Sequence, residues 1–456
     1  MTLKKVEKQN KGLKGEVTIP ADKSISHRAV MFSSLAKGTS TIENFSKGAD
    51  CHSTLSVFKS LGVNAEFKDE KTLIIKSSGQ LIAPKDDLYC GNSGTTMRLM
   101  SGILAGQNFD SVLTGDESLS KRPMARVIKP LELMGAKIEA KMQRCKDAKL
   151  TAPMKIHGTQ LHGINYVSEL SSAQVKSCVL LAGLNASGTT SFTEPYISRN
   201  HTELMLEYLG AKIDAKTQRR KDAKQNNTVE NYASMHPGIF ASTTTIERSQ
   251  LQSKTIIIAG DISSAAFFIV AGLIVPDSEI ILKNVGLNPT RTGILDVVKM
   301  MGADVEILDE KTVSNELVGD LRVKYSQLKG CTIEDEIIPR LIDELPVIAV
   351  LATQAEGTTI IKDAEDLRHK ESDRIKAVVD ELKKLGADIE ETPDGFIIQG
   401  KKHLTGGVEV ETYHDHRLAM SLYVAGLICK NPIFIKGFEW VNISFPEFEK
   451  LMNNLN

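Results

Sequence analysis

The sequence lacks closely spaced cysteines. Its six cysteines are Cys51, Cys90, Cys145, Cys178, Cys331 and Cys429. No two of them form a Cys-x-x-Cys pair, and the gaps between them are long. This spacing fits neither a disulfide framework nor a clustered zinc site. We therefore expect buried, reduced thiols in a cytoplasmic protein.

The sequence also lacks a long apolar run and an excess of charge. Its longest apolar run, residues 265–276, is too short to span a bilayer. Residues 1–12 are polar and contain no apolar signal-peptide core. The formal net charge is −1, so no global field favours nucleic acid or an anionic membrane. These absences predict a soluble cytoplasmic protein with no nucleic-acid or membrane partner, in which any positive potential is local.

What is present is internal repetition over 456 residues, a length sufficient for two or three domains. A Leu/Met-Gly-Ala/Val phrase recurs five times, with its glycines at Gly62, Gly135, Gly210, Gly302 and Gly386. Alternating apolar and polar residues follow each copy. This pattern predicts a helix that ends at a C′ glycine and is followed by a strand.

A second phrase recurs six times and predicts an apolar, buried helix, a short turn and a strand. Its copies begin near Ser26, Ser93, Ser172, Ser264, Leu345 and His416. Together the two phrases indicate six repeats with the order helix, strand, helix, strand. The sixth repeat lacks the strand that follows the Leu-Gly-Ala phrase, and residues 3–9 are a candidate for it.

This arrangement predicts two lobes. Residues 21–254 would form one lobe with repeats one to three. Residues 1–20 and 255–456 would form the other with repeats four to six. The two crossings of the chain, near residues 20–21 and 254–260, would be the hinge.

Two basic stretches interrupt the repeats. Residues 143–149 and 218–224 read Gln-Arg-Cys-Lys-Asp-Ala-Lys and Gln-Arg-Arg-Lys-Asp-Ala-Lys. They lack the interleaved aromatic residues of a single-stranded nucleic-acid site, so we expect solvated hairpin tips. The second stretch continues through polar residues to Ser253, and residues 218–253 are expected to be an insertion.

Cationic and small polar residues recur where strands or loops lead into helices. The stretches are residues 22–28, 91–98, 115–123, 171–174, 199–202, 370–374 and 414–417. Each alone fits an ordinary surface arginine or helix cap. Brought to one cleft, such helix starts would bind a ligand with several phosphates or carboxylates, because helix N-termini and arginines both favour anions.

Nothing in the sequence indicates a metal or another cofactor. Residues 91–94 have neither the Walker A spacing nor that of a dinucleotide-binding loop. His27, His201, His414 and His416 lack a metal-ligand spacing. We expect no metal and no cofactor.

Two carboxylates stand out, and they are the only ones that we expect within a cluster of cations. Asp343 is predicted at the end of an apolar strand and ahead of an apolar helix. Glu371 follows Lys370, and Lys370 and Arg374 would share one face if this stretch is helical. General acid/base catalysis is one reason for such carboxylates. The alternative is that Asp343 caps its helix and Glu371 pairs with Arg374.

In this order, these stretches resemble the 5-enolpyruvylshikimate-3-phosphate synthase family from about residue 12 to residue 448. The resemblance implies an α/β fold of two lobes, each built from three βαβαββ repeats in an inside-out α/β barrel. It also implies transfer of the enolpyruvyl group of phosphoenolpyruvate to the 5-hydroxyl of shikimate 3-phosphate, with release of phosphate. That reaction belongs to the shikimate pathway to chorismate and the aromatic amino acids. A monomer that binds only these small molecules is expected.

The resemblance assigns roles to individual residues. Proton transfer would involve Asp343, Glu371 and Lys23. Shikimate 3-phosphate would be held by Ser24, Arg28, Ser171, Ser172, Gln174, Arg199, Asp343 and Lys370. Phosphoenolpyruvate would be held by Lys23, Asn92, Gly94, Arg122, Gln174, Arg374 and Arg417.

The sequence departs from many family members at two places. Leu99 stands where they have a proline, and Ile443-Ser444 precedes Phe445-Pro446 where they have a lysine before the aromatic-proline pair. Both departures resemble the second class of these synthases, which is often less sensitive to glyphosate. Gly94, however, is alanine in strongly resistant members, so the sequence predicts no single response to this inhibitor.

Two rival functions would require different residues at these positions. An enolpyruvyl transferase acting on UDP-N-acetylglucosamine would have Lys-Asn where this chain has Lys23-Ser24. It would also usually have a reactive cysteine within residues 114–124, where this chain has none. A non-catalytic anion-binding module of the same fold would be expected to have lost Asp343, Glu371 or Lys23.

Overall fold

The computed structural model describes residues 3–143, 149–219, 240–400 and 403–455. Residues 144–148 and 220–224 of the two basic near copies, with Cys145, lie outside the described residues. The chain divides into two compact units. We call Lys23–Ser46 with Asp50–Ile258 the first unit, and Met1–Asp22, Lys47–Ala49 and Ala259–Asn456 the second unit. The predicted lobe boundaries and hinge stay predictions.

The strands, in chain order, are β1 (Leu3–Val6), β2 (Lys14–Thr18), β3 (Gly38–Glu43), β4 (Asn64–Phe67), β5 (Leu73–Ser77), β6 (Leu88–Tyr89), β7 (Ser111–Thr114), β8 (Lys137–Gln143), β9 (Lys149–His157), β10 (Asn165–Val167), β11 (Thr189–Glu194), β12 (Ile213–Arg219), β13 (Phe240–Glu247), β14 (Thr255–Ile257), β15 (Glu279–Gly286), β16 (Asp304–Val313), β17 (Glu316–Lys324), β18 (Thr332–Ile333), β19 (Thr358–Ile361), β20 (Asp388–Thr392), β21 (Gly395–Gln399), β22 (Glu409–Glu411) and β23 (Ile433–Lys436).

The α-helices are α1 (Lys23–Leu35), α2 (Ala49–Ser60), α3 (Gly94–Ala105), α4 (Ala125–Leu133), α5 (Ala173–Gly183), α6 (His201–Tyr208), α7 (Ile262–Ile274), α8 (Gly293–Met300), α9 (Ile338–Leu341), α10 (Leu345–Ala352), α11 (Arg374–Lys384), α12 (His416–Gly426) and α13 (Phe448–Asn453). Short 3-10 helices cover Leu119–Lys121, Asp335–Ile337, Glu365–His369 and Phe438–Ile443.

The sheets of the first unit share one strand order. They run β14-β3-β5-β4, β6-β7-β9-β8 and β10-β11-β13-β12. In each sheet the first two strands are parallel, and every other pair of neighbours is antiparallel. The predicted βαβαββ repeat is therefore confirmed for the described residues of this unit.

The second unit repeats the same order. Its sheets run β2-β15-β17-β16, β18-β19-β21-β20 and β22-β23-β1. Strand β1 pairs antiparallel with β23, from Leu3 opposite Lys436 to Val6 opposite Ile433. The N-terminal segment thus joins the sixth repeat as predicted. It stands third in its three-stranded sheet, whereas the strand that follows each Leu/Met-Gly phrase stands fourth in the sheets of the other repeats.

Two strands are exchanged between the repeats. Strand β2 precedes the first repeat in the chain but pairs in parallel with β15 of the fourth. Strand β14 precedes the fourth repeat but pairs in parallel with β3 of the first. As a result, the first strand in the sheet of repeat one is β14, and the first strand in the sheet of repeat four is β2.

Both repeated phrases form the predicted elements. The five phrase glycines follow the ends of α2, α4, α6, α8 and α11, and their φ angles lie between 82° and 94°. Glycine adopts this left-handed conformation without strain. The helices of the second phrase are apolar on most faces and buried: every residue of α12 is buried, and every residue of α7 except Ser264.

The predicted insertion at residues 218–253 is wrong at its C-terminal end. Residues 240–247 form β13, which pairs with both β11 and β12 and completes the third sheet. Its run of Ser and Thr is typical of a loop when only the sequence is considered. Threonine is β-branched, however, and fits a pleated, half-buried surface.

Candidate active site

Helix starts in the first unit carry the predicted polar residues. Helix α1 begins at Lys23. Helix α3 follows Ser93, whose Oγ accepts a hydrogen bond from the Thr96 N–H at 3.1 Å. Helix α5 follows Ser172, which makes no side-chain capping bond. Helix α3 packs against both α1 and α5. Helix N-termini present N–H groups without intrahelical partners, so this part of the unit favours anions.

Arg122 is held beside the start of α3. Its Nη2 donates to Asn92 Oδ1 at 2.7 Å, and Asn92 Nδ2 donates to Asp116 Oδ2 at 2.7 Å. A Cβ added at Gly94 would lie 3.3 Å from Arg122 Nη1. The structure therefore brings Asn92, Gly94 and Arg122 together.

Gln174 lies against the same helix. Arg98 Nη1 donates to Gln174 Oε1, and Gln174 Nε2 donates to Thr95 Oγ1 at 3.2 Å. Arg98 Nη1 also lies 3.5 Å from the position of a Cβ at Gly94. Arg98 is not among the predicted site residues. Its spacing of four from Gly94 on one helix was the signal that would have found it.

Arg28 uses its guanidinium inside the first unit. It is 3% exposed. It donates to Thr202 Oγ1 at 2.7 Å, to the Ser24 carbonyl at 3.0 Å and to Ser177 Oγ at 2.9 Å. These bonds join α1, α5 and α6, which is a structural role beyond the binding role that the sequence predicts.

Ser171 also has partners within the unit. Its Oγ donates to the Tyr196 carbonyl at 2.8 Å and accepts from the Tyr196 N–H at 2.8 Å. The half-buried Arg199 follows on the same loop, between β11 and α6. Ser171 is therefore anchored to the loop that presents Arg199.

A buried ion cluster supports this loop. Lys176, which is 1% exposed, lies 2.7 Å from Glu194 Oε1 and 2.8 Å from Glu203 Oε1. It also donates to the Ser198 carbonyl at 3.1 Å. Burial alone would lower the pKa of Lys176, but the charges of Glu203 and Glu194 outweigh burial and raise it. The cluster fixes the backbone directly before Arg199.

Lys23 has a carboxylate partner, since its Nζ lies 3.3 Å from Asp50 Oδ2. The next turn of α1 carries the buried His27, whose Nδ1 lies 2.6 Å from Thr54 Oγ1. Burial, together with the charges of Lys23 and Arg28, holds the pKa of His27 well below its usual value. His27 is therefore neutral near pH 7, and the positive charge of this helix start resides on Lys23 and Arg28.

Arg374 is the centre of the site in the second unit, and it is 1% exposed. Its Nε donates to Asp415 Oδ2 at 2.7 Å, its Nη2 to Glu371 Oε2 at 2.7 Å and its Nη1 to Asp343 Oδ1 at 3.3 Å. Burial opposes the charge of Arg374, but the surrounding carboxylates raise its pKa above the ordinary value. Arg374 stays charged in the pH range of the native protein.

Asp343 contacts three cations. Its Oδ1 lies 3.4 Å from Lys370 Nζ and 3.3 Å from Arg374 Nη1, and its Oδ2 lies 3.9 Å from Arg417 Nη2. Its carbonyl accepts from Arg417 Nη1 at 3.3 Å. The second unit therefore brings Asp343, Lys370, Arg374 and Arg417 together.

Asp415 holds two arginine-bearing parts of this cluster, because it bonds Arg374 and caps the helix that begins at His416. Its Oδ1 accepts the N–H groups of Arg417 at 2.9 Å and Leu418 at 3.4 Å, which caps α12. Burial would raise the pKa of Asp415, but the charge of Arg374 and its hydrogen bond outweigh burial and lower it. Tyr413 and His414, directly before it, both have positive φ, 50° and 61°. This tandem left-handed backbone aims Asp415 at Arg374.

The chain as a whole is similar to known proteins. The family model described as EPSP synthase (3-phosphoshikimate 1-carboxyvinyltransferase) matches residues 7–452. The 3-phosphoshikimate 1-carboxyvinyltransferase of Thermoanaerobacter sp. (strain X514) is 50% identical over 448 residues, 98% of this chain and 99% of that protein. The same-named protein of Bacillus velezensis is 50% identical over 444 residues, 97% of each. The chain belongs to the EPSP synthase family.

Solved structures agree with membership of the EPSP synthase family. An EPSP synthase from Acinetobacter baumannii is 42% identical and superposes with a TM-score of 0.84, covering 100% of this chain and 98% of that chain. The enolpyruvyl transferase NikO from Streptomyces tendae is 16% identical, with a TM-score of 0.74 over 99% of this chain and 97% of that chain. The second likeness concerns the fold alone.

The EPSP synthase signature around Asp343 has a different local structure from the one expected. Asp343 follows the short helix α9, not a strand, and β18 comprises only Thr332–Ile333. Pro339 stands in the first turn of α9, where its fixed φ suits a helix. The N-cap of α10 is Glu344, which makes no side-chain capping bond. The capping interpretation of Asp343 is therefore wrong.

The second signature also differs, because residues 370–373 are not part of a helix. Helix α11 begins at Arg374, after the N-cap Asp373. Lys370 and Arg374 therefore do not share a helix face, although both contact Asp343. The predicted alternative for Glu371, an ion pair with Arg374, is present at 2.7 Å.

The expectation of only two carboxylates among the cations is wrong. Asp415 contacts Arg374, and the buried Glu344 Oε1 lies 3.8 Å from Arg417 Nη1 and 3.9 Å from Arg291 Nη2. Asp415 lies within the predicted stretch 414–417 and Glu344 directly follows Asp343, but the sequence does not show which neighbours of a predicted residue turn inward. The two carboxylates place negative charge beside the buried Arg374, Arg417 and Arg291.

Two further observations concern the described residues only. No group of three or more His, Cys, Asp and Glu side chains among them is arranged to hold a metal ion. Within the same residues, no helix combines the length and the apolar character needed to cross a membrane.

Proposed function

We propose that this chain transfers the enolpyruvyl group of phosphoenolpyruvate to the 5-hydroxyl of shikimate 3-phosphate and releases inorganic phosphate. Membership of the EPSP synthase family supports this reaction. The observation that carries the proposal is the cluster in the second unit. There Lys370, Arg374 and Arg417 surround Asp343, which suits proton transfer beside an anionic substrate.

The reaction has two steps. In the first, the 5-oxygen attacks C2 of phosphoenolpyruvate, loses its proton, and C3 gains a proton, so a tetrahedral phosphate ketal forms. In the second, C3 loses a proton, the C–O bond to phosphate breaks, and the enol ether remains. Fixed positive groups stabilise the negative charge that develops on the carboxylate and phosphate.

The first unit supplies anion binding in this proposal. Ser24, Arg28, Ser171, Ser172, Gln174 and Arg199 hold shikimate 3-phosphate, and Lys23, Asn92, Gly94, Arg122 and Gln174 hold phosphoenolpyruvate. Support comes from the start of α3, where Arg122 is fixed by Asn92 at 2.7 Å next to Gly94. A guanidinium held in this way offers a carboxylate or phosphate two parallel donors without losing side-chain freedom.

The second unit supplies the proton chemistry. Asp343, which lies beside Lys370, Arg374 and Arg417, accepts the proton of the 5-hydroxyl. Glu371 moves the proton at C3, with Lys23 of the first unit assisting. Arg374 and Arg417 hold phosphoenolpyruvate, and Lys370 holds the phosphorylated sugar.

The proposal also covers the cellular compartment, the oligomeric state and the cofactor requirement. The protein works in the cytoplasm as a monomer, without a cofactor. Five cysteines of the described residues are free thiols, four of them buried, in keeping with a reducing compartment.

The test is a phosphate-release assay with one substrate omitted at a time. We expect release only with shikimate 3-phosphate and phosphoenolpyruvate together. UDP-N-acetylglucosamine in place of the phosphorylated sugar should give none, because Lys23-Ser24 and the cysteine-free residues 114–124 do not fit that enzyme. Turnover with the nucleotide sugar would refute the proposal.

A further inference from the structure

Lys370 and Glu371 lie in a short segment that no helix holds. The 3-10 helix Glu365–His369 ends before them, and α11 begins after them at Arg374. The backbone at Lys370 is extended. Within the segment formed by residues 369–372, Ser372 Oγ donates to Asp415 Oδ2 at 3.2 Å. The positions of Lys370 and Glu371 also depend on what fixes the two ends of this segment.

Arg368 fixes the first end with its whole guanidinium. Its Nε donates to the Pro393 carbonyl at 2.8 Å, and its Nη2 to the Thr392 carbonyl at 2.7 Å. Its Nη1 donates to Glu391 Oε1 at 2.9 Å. These acceptors lie in the last residues of β20 and in the turn that leads to β21. Arg368 therefore ties the start of the segment to the end of a sheet.

Asp373 fixes the second end and is joined to the first. Its Oδ1 accepts the N–H of Lys376 at 3.1 Å and caps α11. Its Oδ2 accepts from Arg368 Nη1 at 3.0 Å. The residues on either side of the four-residue segment are thus bonded directly to each other.

We propose that Arg368 is a positioning residue, which closes residues 369–372 through Asp373 and thereby sets the positions of Lys370 and Glu371. The inference rests on the proposed function, in which Lys370 holds the phosphorylated sugar and Glu371 moves the proton at C3. It adds a residue outside the predicted site. Lys370 then meets Asp343 at 3.4 Å, and Glu371 meets Arg374 at 2.7 Å.

Lysine cannot replace Arg368 in this role. Three nitrogens of one rigid, planar group reach two carbonyls and two carboxylates, whereas an ammonium is a single point charge on a flexible chain. Arg368→Lys therefore keeps the charge and loses the geometry. Because the Arg368 side chain is 22% exposed, the variant is expected to fold.

The kinetic test compares Arg368→Lys with the wild-type protein. We expect kcat to fall and the KM for shikimate 3-phosphate to rise, each by roughly tenfold or more, as for other small displacements of catalytic groups. The KM for phosphoenolpyruvate should rise less, since Arg122 and Arg417 lie outside the segment and Arg374 is also held by Asp415 at 2.7 Å. An equal rise of both KM values would mean general structural damage and would overturn the proposal.

Arg322→Lys is the matched control. Arg322 is another partly exposed arginine of the second unit, and it pairs with Glu306 across β16 and β17. It should keep wild-type kinetics. Asp373→Asn keeps an oxygen to cap α11 but loses the charge that Arg368 meets. It should shift the kinetic constants in the same direction as Arg368→Lys.

Hydrogen–deuterium exchange separates this proposal from the proposed function. Amides of residues 369–373 should exchange faster in Arg368→Lys than in the wild-type protein and in Arg322→Lys. Unchanged exchange, or faster exchange with unchanged kinetics, would overturn the positioning role. If the wild-type protein turned over neither substrate, the proposed function would fail, and the exchange comparison would still decide whether Arg368 holds the segment.

Discussion

Asp343 has little exposure to solvent and lies close to several cations. Its side chain is 13% exposed, and cations lie at 3.3 Å and 3.4 Å from one of its oxygens. Its other carboxylate oxygen, Oδ2, lies 3.9 Å from Arg417 Nη2. That geometry suits a group that accepts a proton from a hydroxyl.

Substituting Asp343 by Asn tests this role. The amide keeps the shape but cannot accept the proton, so kcat should fall by about 10²-fold or more. Binding of shikimate 3-phosphate, measured by calorimetry, should weaken far less, because serines and arginines of the first unit hold its phosphate.

Asp320→Asn is the control for that substitution. Asp320 has the same 13% side-chain exposure and pairs with Lys283 in the second unit. It should leave kcat unchanged. If Asp343→Asn weakened binding as much as turnover, Asp343 would be a ligand rather than a base.

Gly94 is a second residue where a small change should have a selective effect. In Gly94→Ala the new Cβ would meet Arg122 Nη1 at 3.3 Å and Arg98 Nη1 at 3.5 Å. The first distance is tighter than ordinary contact, so Arg122 must shift. We expect the KM for phosphoenolpyruvate to rise by roughly tenfold and that for shikimate 3-phosphate to change little. Equal changes in steady-state KM for both substrates would contradict the placement of Arg122.

The buried ion cluster of Lys176, Glu194 and Glu203 should contribute to the free energy of unfolding. Lys176→Met leaves Glu194 and Glu203 buried without their cation and should cost about 3–5 kcal/mol of unfolding free energy near pH 7. The native pKa of Lys176 is raised. Its stabilising contribution is therefore complete below the unfolded pKa of about 10.4 and is lost as pH rises through the native value.

The gap between wild type and Lys176→Met should accordingly narrow above about pH 10.4 in denaturant titrations. A gap that stayed constant through this range would show that packing, not charge, accounts for the loss. The triple variant Lys176→Met, Glu194→Gln, Glu203→Gln should recover much of the stability, because no unpaired charge remains buried.

For single residues, the sequence predicts several members of the site but not all of the side chains that contact them. Asn92, Gly94 and Arg122 follow from one short motif and one helix start. Asp415 and Glu344 do not, because each is adjacent to a predicted residue and only the backbone decides its direction. The left-handed φ of Tyr413 and His414, which turns Asp415 toward Arg374, has no sequence signal comparable to glycine.

Elements were predicted best where a local rule determines them. A glycine in the left-handed region ends each of five helices, and this is visible in the sequence. Strand β13 was missed because its Ser/Thr-rich sequence looks like a loop until it is placed between β11 and β12. Helix α9 was missed for a different reason: four residues are too few for a periodic pattern.

The pairing of β12 with β13 allows a prediction about residues 220–239, which connect the two strands. Arg219 and Phe240 are direct partners in the antiparallel ladder, so a two-residue Asn-Gly turn can connect them. Replacing residues 220–239 by this turn should leave kcat and both KM values largely unchanged. None of the predicted site residues lies there, and loop length affects stability only weakly.

The control for this replacement extends it into the sheet. Removing residues 220–247 also deletes β13, which separates β11 from β12 and should unfold the third repeat, as seen in circular dichroism melting. Loss of activity in a still-folded protein that lacks only residues 220–239 would show that those residues serve the reaction.

At the scale of the molecule, the repeat count and the strand order follow from the sequence, but the exchange of strands does not. The sequence groups residues 1–20 with repeats four to six but names no partner for β2, which pairs with β15 of the fourth repeat. It groups residues 255–257 with the same repeats, whereas β14 pairs with β3 of the first repeat. Strand pairing depends on long-range register, which hydrophobic alternation specifies only in part.

The central claim is that the carbon skeleton of phosphoenolpyruvate is transferred to the 5-oxygen of shikimate 3-phosphate. Nuclear magnetic resonance with phosphoenolpyruvate labelled with carbon-13 at C2 tests it most directly. We predict that the labelled carbon appears as an enol ether on the 5-oxygen, with one phosphate released for each product molecule. Label that appears only in pyruvate, or on the oxygen of a nucleotide sugar, would contradict the account.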